Sequence, residues 1–173
     1  IAYHEQALAI RRGAHDKRGT GNSLNNLGMG YARLGEQHKA IEYYDQALLF
    51  ARELGDKRDE GSILGNLGVA YYFLEEVQQA VQFYEQALTI DREIGDKRGE
   101  GADLGNLARA HAKLGNAREA IEFCELALAI AKQIGDRRME GHLLANLGLS
   151  YKQLGENAKA RDFWQKALQI YQT

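Results

Sequence analysis

The sequence predicts an all-α solenoid, a stack of antiparallel helix pairs, from three observations. A tripeptide of Asn, Leu and a small residue recurs at intervals of forty residues, at 26–28, 66–68, 106–108 and 146–148. Within each interval, apolar residues follow one another at steps of three and four, which is the spacing of one helical face. No stretch alternates apolar and polar residues with a period of two, so no strand is expected. A strict repeat of this length is typical of stacked units that bury their apolar faces against their neighbours.

The second repeat, residues 56–95, shows how each unit is expected to form. Asp56 is suited to capping a helix, and acidic residues follow it in the first turn. This first helix, helix A, is predicted to end before Glu75, where the other repeats place a glycine. The second helix, helix B, then runs to Ile94, and Gly95 ends it.

The phase of the repeat divides the chain into one partial unit and four further units. Residues 1–15 align with helix B of the following repeat, so they are predicted to be a lone helix B. A single solenoid over 1–173 then continues with repeats at 16–55, 56–95, 96–135 and 136–173. The last helix B keeps the apolar residues of the earlier units, whereas a terminal repeat normally has a polar outer face. Self-association through the ends is one hypothesis for these residues.

A small residue at 28, 68, 108 and 148 is predicted to let helices A and B approach closely. It lies between large residues that are expected to face the core, in the first repeat Leu24, Leu27, Tyr31 and Leu34. Cys124 stands where other repeats have an aromatic residue, and His111 stands where they have tyrosine. Both are therefore predicted to be core residues, with His111 hydrogen-bonded, and Cys124 is not predicted to be a nucleophile.

Composition argues against several classes of function. The chain is 45% hydrophobic and 27% charged, which is typical of a globular protein. A net charge of −2 disfavours a nucleic-acid or anionic-membrane surface, because both need clustered Lys and Arg. The histidines show no metal-ligand spacing, so neither a metal nor a cofactor is predicted. No apolar run is long enough to span a membrane and no signal peptide is visible, so a cytoplasmic location is expected.

The repeat pattern Leu67-Gly68-x-x-Tyr71, followed by Ala80-x-x-x-Tyr84-x-x-Ala87-Leu88, resembles the tetratricopeptide repeat. The resemblance covers the whole chain, in phase, although the usual unit has thirty-four residues and a proline near the end of helix B. The chain has no proline. Its longer unit is similar to those of Pins/LGN adaptors, kinesin light chains and bacterial tetratricopeptide arrays attached to large signalling ATPases.

The resemblance implies a right-handed superhelix that binds proteins and carries no catalytic residues in its repeats. In this fold helix A lines the concave wall, so the face of helix A opposite the core is the predicted partner surface. That surface includes Tyr72 and four stripes: Asn22, Asn26, Met29 and Arg33; Ser62, Asn66, Val69 and Phe73; Ala102, Asn106, Arg109 and Lys113; and His142, Asn146, Leu149 and Gln153.

An asparagine ladder runs through these stripes, at 26, 66, 106 and 146. An amide both donates and accepts hydrogen bonds, so it can hold the backbone of an extended peptide. In peptide-binding tetratricopeptide domains, asparagine at this position resembles the residue that grips a ligand backbone or terminal carboxylate. The alternative is structural, since an asparagine in every unit can also bond to the neighbouring helix and fix the angle between repeats.

The sequence thus predicts a scaffold that binds a protein or peptide segment with acidic and apolar side chains. Its side chains would be contacted by residues 29, 69, 72, 109 and 113. Two alternatives stay open at this stage: a sensor arm of a larger ATPase or transcription regulator, and a self-assembling segment. An enzyme is not predicted, because four copies of one pattern do not form an asymmetric active site.

Overall fold

The computed structural model describes residues 2–172, with Ala2 described by its backbone alone. This part of the chain contains helices and no strand, as predicted. The helices are α1 (Ala2–Gly13), α2 (Lys17–Arg33), α3 (Gln37–Glu53), α4 (Lys57–Phe73), α5 (Val77–Ile94), α6 (Lys97–Lys113), α7 (Ala117–Gln133), α8 (Arg137–Gln153) and α9 (Asn157–Tyr171).

Two compact units make up the fold, and the boundary between them lies at residues 90 and 91, within α5. In the first, unit 1, α2 packs against α1 and α3, and α3 packs against α4. In the second, unit 2, α6 packs against α7, α7 against α8, and α8 against α9. The all-α class of adjacent paired helices is confirmed in both units. The repeat boundaries drawn from the sequence stay a prediction.

The predicted helix caps are present at the start of each helix A. The carboxylates of Asp16, Asp56, Asp96 and Asp136 each accept a hydrogen bond from the backbone N–H three residues later. The distances lie between 2.9 and 3.2 Å. Because these donors have no partner inside the helix, each cap stabilises its helix by about 1 kcal/mol.

Turns between the helices place one residue in the left-handed region. Glycine occupies this position at Gly35, Gly115 and Gly155, with φ between +78° and +84°. Glu75 takes the same place in unit 1 with a φ of +66°. A side chain in this conformation costs roughly 1 kcal/mol, so the second repeat has a more strained turn than the others.

The small residue of helix A lies against the ring of a helix B aromatic, as the close-approach interpretation requires. A methyl group at Gly28 would lie 2.5 Å from Tyr44 Cε1, and one at Gly68 would lie 2.6 Å from the Tyr84 ring. Gly148 faces Trp164 in the same way. Where the chain has Ala108 instead of glycine, the residue on helix B is Cys124, so the alanine fits because its partner is small.

Cys124 is 1% exposed, which confirms it as a core residue, and burial raises the pKa of its thiol to about 12. His111 packs against Phe123 with ring centroids 5.1 Å apart, in the position of the stacked pairs Tyr71–Phe83 and Tyr151–Phe163. The prediction of a hydrogen-bonded histidine is wrong for its Nδ1 atom, which is buried without a hydrogen-bond partner. The ring is held by aromatic packing instead.

Leu34 is the clearest error in the predicted core, since 64% of it is exposed. It is the C-cap residue of α2. Leu154, the C-cap residue of α8, is 40% exposed. Leu74 and Leu114, the C-cap residues of α4 and α6, are half-buried, so the end of the helix does not by itself expose the leucine. Leu24 and Leu27, which lie inside α2, are fully buried as predicted.

Ion pairs join the end of helix B to the start of the next helix A, where the usual unit has proline. Arg52 Nε donates to Glu60 Oε1 at 2.9 Å, and Arg92 Nε donates to Glu100 Oε1 at 3.0 Å. Burial raises the pKa of Glu60, but hydrogen bonds from Lys57 and Arg52 outweigh it and leave the pKa below its usual range. The hydrogen bond from Lys97, followed by the bond from Arg92, lowers the pKa of Glu100 despite its burial.

Candidate functional site

In unit 1, the predicted partner surface of α2 is accessible to solvent. Asn22 and Arg33 are exposed, and Asn26 and Met29 are half-buried. Met29 also packs against the hydrophobic core, so only part of its side chain is available to a partner. The outer face of α2 is therefore mixed, with polar residues at its two ends.

The predicted surface of α4 also lies in unit 1 and has more apolar character. Phe73 is 60% exposed, and Tyr72 and Val69 are half-buried. The rings of Tyr72 and Phe73 meet edge to face, with centroids 6.0 Å apart. These two aromatic residues form an apolar contact surface at the end of α4.

Asn66 shows the structural use of the asparagine ladder. Its Nδ2 donates to Oδ1 of Asn25 on α2 at 3.1 Å, which joins the two A helices of unit 1. The residues corresponding to Asn25 in the later repeats are Gly65, Gly105 and Ala145, which have no amide. An equivalent amide pair within unit 2 is therefore not available to Asn146. Whether the ladder also binds a ligand stays a prediction.

Unit 2 places its predicted site residues on α6 and α8. Asn106, Arg109 and Asn146 are half-buried, and Arg109 Nη2 lies 3.5 Å from Asn106 Oδ1. Lys113 and His142 are exposed. The His142 ring meets the ring of Tyr171 on α9, and its Nδ1 lies 3.2 Å from the Tyr171 hydroxyl oxygen.

Leu149 of α8 is 52% exposed and extends the same face. Farther along the two helices, Gln153 Nε2 donates to the backbone carbonyl of Ala112 at 3.1 Å. This bond links α8 to α6 at one end of the face. The predicted residues of unit 2 thus lie on two helices that are in contact.

A cavity of about 460 Å³ opens on this face of unit 2. Five residues of the predicted partner surface line it: Ala102, Asn106, Arg109, His142 and Asn146. Sequence reasoning did not assign the other lining residues to that surface, which are Gly101, Gly105, Asp136, Arg138, Met139 and Leu143. The volume falls within the roughly 300–1,000 Å³ that is usual for ligand sites.

Asp136 is the acidic residue of the cavity wall, and its charge is already balanced. Its Oδ1 accepts from the backbone N–H of Met139 at 2.9 Å, and its Oδ2 accepts from Arg98 at 2.6 Å. These bonds, the backbone bond first, hold the pKa of Asp136 below its usual value. The guanidinium groups of Arg109 and Arg138 therefore decide the local charge.

Arg138 belongs to the basic pairs that follow the capping aspartates, at 17–18, 57–58, 97–98 and 137–138. Their recurrence predicts a solvated edge that pairs with Glu53, Glu93 or the next helix. Pairing is seen between Lys17 and Glu53 at 2.5 Å and between Arg98 and the next capping residue, Asp136. Arg138 instead lines the cavity, which its position along the sequence alone does not reveal.

Neither a metal cluster nor a membrane-spanning helix is found in the part of the chain that the structure describes. No three His, Cys, Asp or Glu side chains among residues 2–172 are grouped so that they could hold a metal ion. Among these same residues, no helix is both long enough and apolar enough to cross a membrane.

The sequence profile of the tetratricopeptide repeat family matches residues 1–53, 38–93 and 102–173. The chain belongs to the tetratricopeptide repeat family. Proteins built from tetratricopeptide repeats are generally interaction scaffolds, and the fold seen in both units agrees with this membership. Among curated proteins, no significant sequence match to this chain was found.

Solved tetratricopeptide structures resemble the chain at low sequence identity. BtubC (BKLC) from P. vanneervenii is 24% identical, with a TM-score of 0.82 over 90% of this chain and 65% of that one. A STAND ATPase with a tetratricopeptide repeat sensor, PH0952 from Pyrococcus horikoshii, is also 24% identical, with a TM-score of 0.81 over 90% of this chain and 24% of that one.

A third neighbour is a Rap protein crystallised in complex with competence and sporulation factor. It is 18% identical, with a TM-score of 0.78 over 90% of this chain and 43% of that one. The chain thus spans less than two thirds of the length of all three proteins. At these identities the likeness shows the fold alone.

Proposed function

We propose that the chain binds an extended segment of a partner protein along the outer faces of its A helices. The backbone of the segment is held by asparagine amides, and its side chains are contacted by residues such as Met29, Val69, Tyr72, Arg109 and Lys113. Recognition is by equilibrium binding, and no catalytic step is proposed. A cytoplasmic location stays a prediction from the sequence.

The observation that carries this proposal is the cavity of unit 2. It gathers two asparagines of the ladder, Asn106 and Asn146, together with Arg109 and His142. The phase of the repeat by itself predicts that all four face a partner. Amides and a guanidinium group beside a concave apolar wall can bind the backbone and the side chains of an extended peptide.

The neighbouring Rap protein lends limited support, since its structure contains competence and sporulation factor. A fold similar to that of this chain is therefore compatible with binding a separate factor. The residues that bind it in that protein are not carried over to this chain.

The test is a random-peptide display selection on the full chain. The wild type is compared with Asn106→Ala/Asn146→Ala, which removes both amides from the cavity. Asn157→Ala is the matched control, because it makes the same chemical change on α9, outside the cavity lining. Circular dichroism and the melting temperature establish that each variant is folded.

A sequence motif that is enriched by the wild type and by Asn157→Ala, but not by the folded double variant, supports the proposal. If the double variant enriches the same motif, the amides do not hold the peptide. If the wild type enriches nothing, the surface does not bind short peptides and the proposal fails.

The likeness to the STAND ATPase with its tetratricopeptide sensor favours a second candidate function. In this case the chain is a sensor arm whose ligand releases inhibition of an attached ATPase. The natural full-length protein would then contain a nucleotide-binding domain, and its ATPase rate would rise when the selected peptide is added. A full-length protein without such a domain would exclude this candidate.

Self-association through the ends is the third candidate, and it stays a prediction from the sequence. Sedimentation over a range of concentrations tests this idea, with a mass that rises with concentration as the expected result. A constant monomer mass would exclude it.

A further inference from the structure

We propose that unit 2 has a separate ligand site, on the side of α8 that faces away from the predicted partner surface, and that this site binds a small apolar carboxylate. Such a ligand carries a carboxylate group on an aromatic or aliphatic body. The site is a cavity of about 340 Å³, called the outer cavity here, whose lining comes from α7, α8 and α9. Each of these helices contributes one basic side chain: Lys132, Arg137 and Lys166.

The outer cavity is separate from the cavity at the partner surface. Arg138 and His142 of α8 line the cavity at the partner surface, whereas Glu140 and Leu144 line the outer one. Successive residues of a helix are about 100° apart around its axis, so these two pairs lie on opposite faces of α8. The two cavities share no lining residue. The inference therefore does not depend on the proposed function.

A hydrogen bond that crosses the equivalent groove of unit 1 is the first argument. Lys132 corresponds to Arg12, and Lys166 corresponds to Gln46. In unit 1, Arg12 Nη2 donates to Gln46 Oε1 at 3.1 Å, and this bond joins α1 to α3. In unit 2 an ammonium group replaces the amide, so both helices present a donor and neither presents an acceptor. An anion bound between them would supply the missing acceptor.

The second argument is that Lys132 lacks the carboxylate partner of its equivalent residue in unit 1. Arg52 Nε donates to Glu60 Oε1 at 2.9 Å. At the same place in unit 2, Glu140 Oε2 accepts from Arg137 at 2.9 Å. Lys132 itself has neither an ion pair nor a hydrogen bond among the residues that the structure describes. Its charge is therefore available to a ligand.

Lys166 has partners on its own helix that still allow it to contact a ligand. Its Nζ lies 2.6 Å from Asp162 Oδ2, in an exposed pair that solvent screens. The same Nζ lies 5.3 Å from the centre of the Phe163 ring, which is part of the cavity lining. Because an ammonium group has three N–H donors, Lys166 can bond to a ligand carboxylate and keep its pair with Asp162.

The apolar part of the lining is the third argument, and it favours a carboxylate with an apolar body over inorganic phosphate. Leu144 is buried, and Leu128, Phe163 and Ile170 are half-buried beside it. The Phe163 ring is stacked on Tyr151 with centroids 5.3 Å apart, which fixes its orientation. A dianion loses more hydration free energy than a monoanion beside such groups, because the cost of desolvation rises steeply with charge.

The size of the outer cavity indicates a small ligand. Its volume lies near the lower end of the roughly 300–1,000 Å³ that is usual for ligand sites. The probe is therefore phenylpropanoate, titrated into the full chain and followed in two-dimensional amide NMR spectra. Phenylpropanamide is its uncharged counterpart, and inorganic phosphate is the anion without an apolar body. A dissociation constant of roughly 1 mM is expected for a ligand of this size.

The main variant, Lys132→Arg/Lys166→Gln, rebuilds in unit 2 the bond between Arg12 and Gln46. Lys132→Arg alone keeps both cations and adds no acceptor. The matched control is Lys152→Gln, which removes an exposed lysine of α8 that does not line the outer cavity. Melting temperatures establish that each variant is folded. If the double variant does not fold, Lys132→Gln decides the question, because it needs no new contact.

For the wild type, saturable shifts are expected at the amides of Leu128, Leu144 and Phe163. Phenylpropanamide is expected to bind about ten-fold more weakly, as for the loss of a charged hydrogen bond. The double variant is expected to bind phenylpropanoate about ten-fold more weakly, because the guanidinium group then has an acceptor within the chain. Lys132→Arg and Lys152→Gln are expected to bind as the wild type does.

A wild type without saturable shifts at the outer cavity overturns the inference. The same holds if the amide binds as tightly as the carboxylate, or if inorganic phosphate binds more tightly than phenylpropanoate. A folded double variant that binds like the wild type, or a Lys152→Gln protein that binds as weakly as the double variant, also overturns it. None of these results changes the proposed function, because that surface lies on the other face of α8.

Discussion

Unit 1 and unit 2 have the same repeat pattern, eighty positions apart, but their A helices carry different side chains at the partner surface. In unit 1 the outer positions hold Asn25 and Met29, and the Asn25 amide is bonded to Asn66. In unit 2 the equivalent residues are Gly105 and Arg109, and a cavity of about 460 Å³ lies beside them. The comparison teaches that the buried leucines define the scaffold, while a few outer positions decide its chemistry.

The two units also differ in the polar side chains that they place at one pair of equivalent positions between neighbouring helices. In unit 1, Arg11 donates to the backbone carbonyl of Gly19 and to Ser23 Oγ, both at 2.8 Å. The equivalent residues in unit 2 are Asp91 and Asp103, which are 7% and 5% exposed. Forty residues further on, the equivalent positions hold Ala131 in the third repeat and Leu143 in the fourth, so the chain itself contains an apolar alternative to the acid pair.

The largest expected effect concerns this buried acid pair. Burial, and next the charge of Asp91, raise the pKa of Asp103 from 3.8 to about 8. Between these values the unfolded chain has lost this proton and the folded chain still holds it, so the free energy of unfolding falls as the pH rises. The slope approaches about 1.4 kcal/mol per pH unit, which amounts to several kcal/mol over the interval.

The double variant Asp91→Ala/Asp103→Leu copies Ala131 and Leu143, and its free energy of unfolding should lose this dependence on pH. Urea denaturation at a series of pH values between 4 and 8 measures it. If the free energy of unfolding depends on pH in the same way in the wild type and the variant, Asp103 does not hold a proton in the folded protein over this range. Arg11→Ala/Ser23→Leu in unit 1 serves as the control, because that pair contains no carboxyl group.

The second prediction compares the contacts between helices A and B. Gly68→Ala in unit 1 places a methyl group 2.6 Å from the Tyr84 ring, and should lower the free energy of unfolding by about 2 kcal/mol. In unit 2 the same alanine is present at 108, opposite Cys124. The double variant Gly68→Ala/Tyr84→Cys should therefore recover part of the loss caused by Tyr84→Cys alone.

A double-mutant cycle by chemical denaturation gives the coupling energy of the Gly68–Tyr84 pair. Strictly additive effects of the two substitutions would show that the ring of Tyr84 does not limit the size of residue 68.

The third prediction separates the two uses of asparagine. Asn66→Ala should lower the free energy of unfolding by about 1 kcal/mol, because it breaks the half-buried bond to Asn25. Asn146→Ala should have a smaller effect on stability, since Gly105 offers it no amide partner. Denaturation curves of the two variants, measured under the same conditions, test this; equal losses would argue that the ladder is structural in both units.

The smallest expected effect concerns the turn at Glu75. Glu75→Gly should raise the free energy of unfolding by about 0.5 to 1 kcal/mol, because glycine adopts the observed φ of +66° without strain. Gly155→Glu, at the equivalent turn of unit 2, should lower it by a similar amount. Thermal denaturation measures both changes, and a destabilised Glu75→Gly protein would contradict the assignment of strain to this turn.

Much of the scaffold could be predicted from the sequence, because each local signal was repeated in phase. The capping aspartates, the buried Leu27 and Leu67, and the small residue opposite Tyr44 or Tyr84 all appear where expected. Leu34 was placed wrongly, although the equivalent Leu74 and Leu114 are half-buried, because helical spacing does not show which neighbours cover the end of a helix. The packing of His111 in the core was predicted correctly. That its Nδ1 lacks a hydrogen-bond partner could not be predicted, because residue spacing does not show which groups surround the ring.

The candidate site was predictable only in part. The phase of the repeat identified Asn106, Arg109, His142 and Asn146, since it fixes which residues share a helical face. It did not identify Arg138 and Met139, which reach the cavity from the first turn of α8. Nor did it show that Asn25 bonds to Asn66, because that depends on the separation between two helices.

The sequence by itself thus determined the repeat length, the helices, their caps and the buried faces, because these follow from residue spacing within single helices. Tertiary structure decided which polar groups meet: Asn25 with Asn66, Arg92 with Glu100, and Asp91 with Asp103. These pairs join different helices, so the packing of helix against helix brings them together. The same packing leaves the space beside Gly105 as a cavity, where unit 1 has an amide pair.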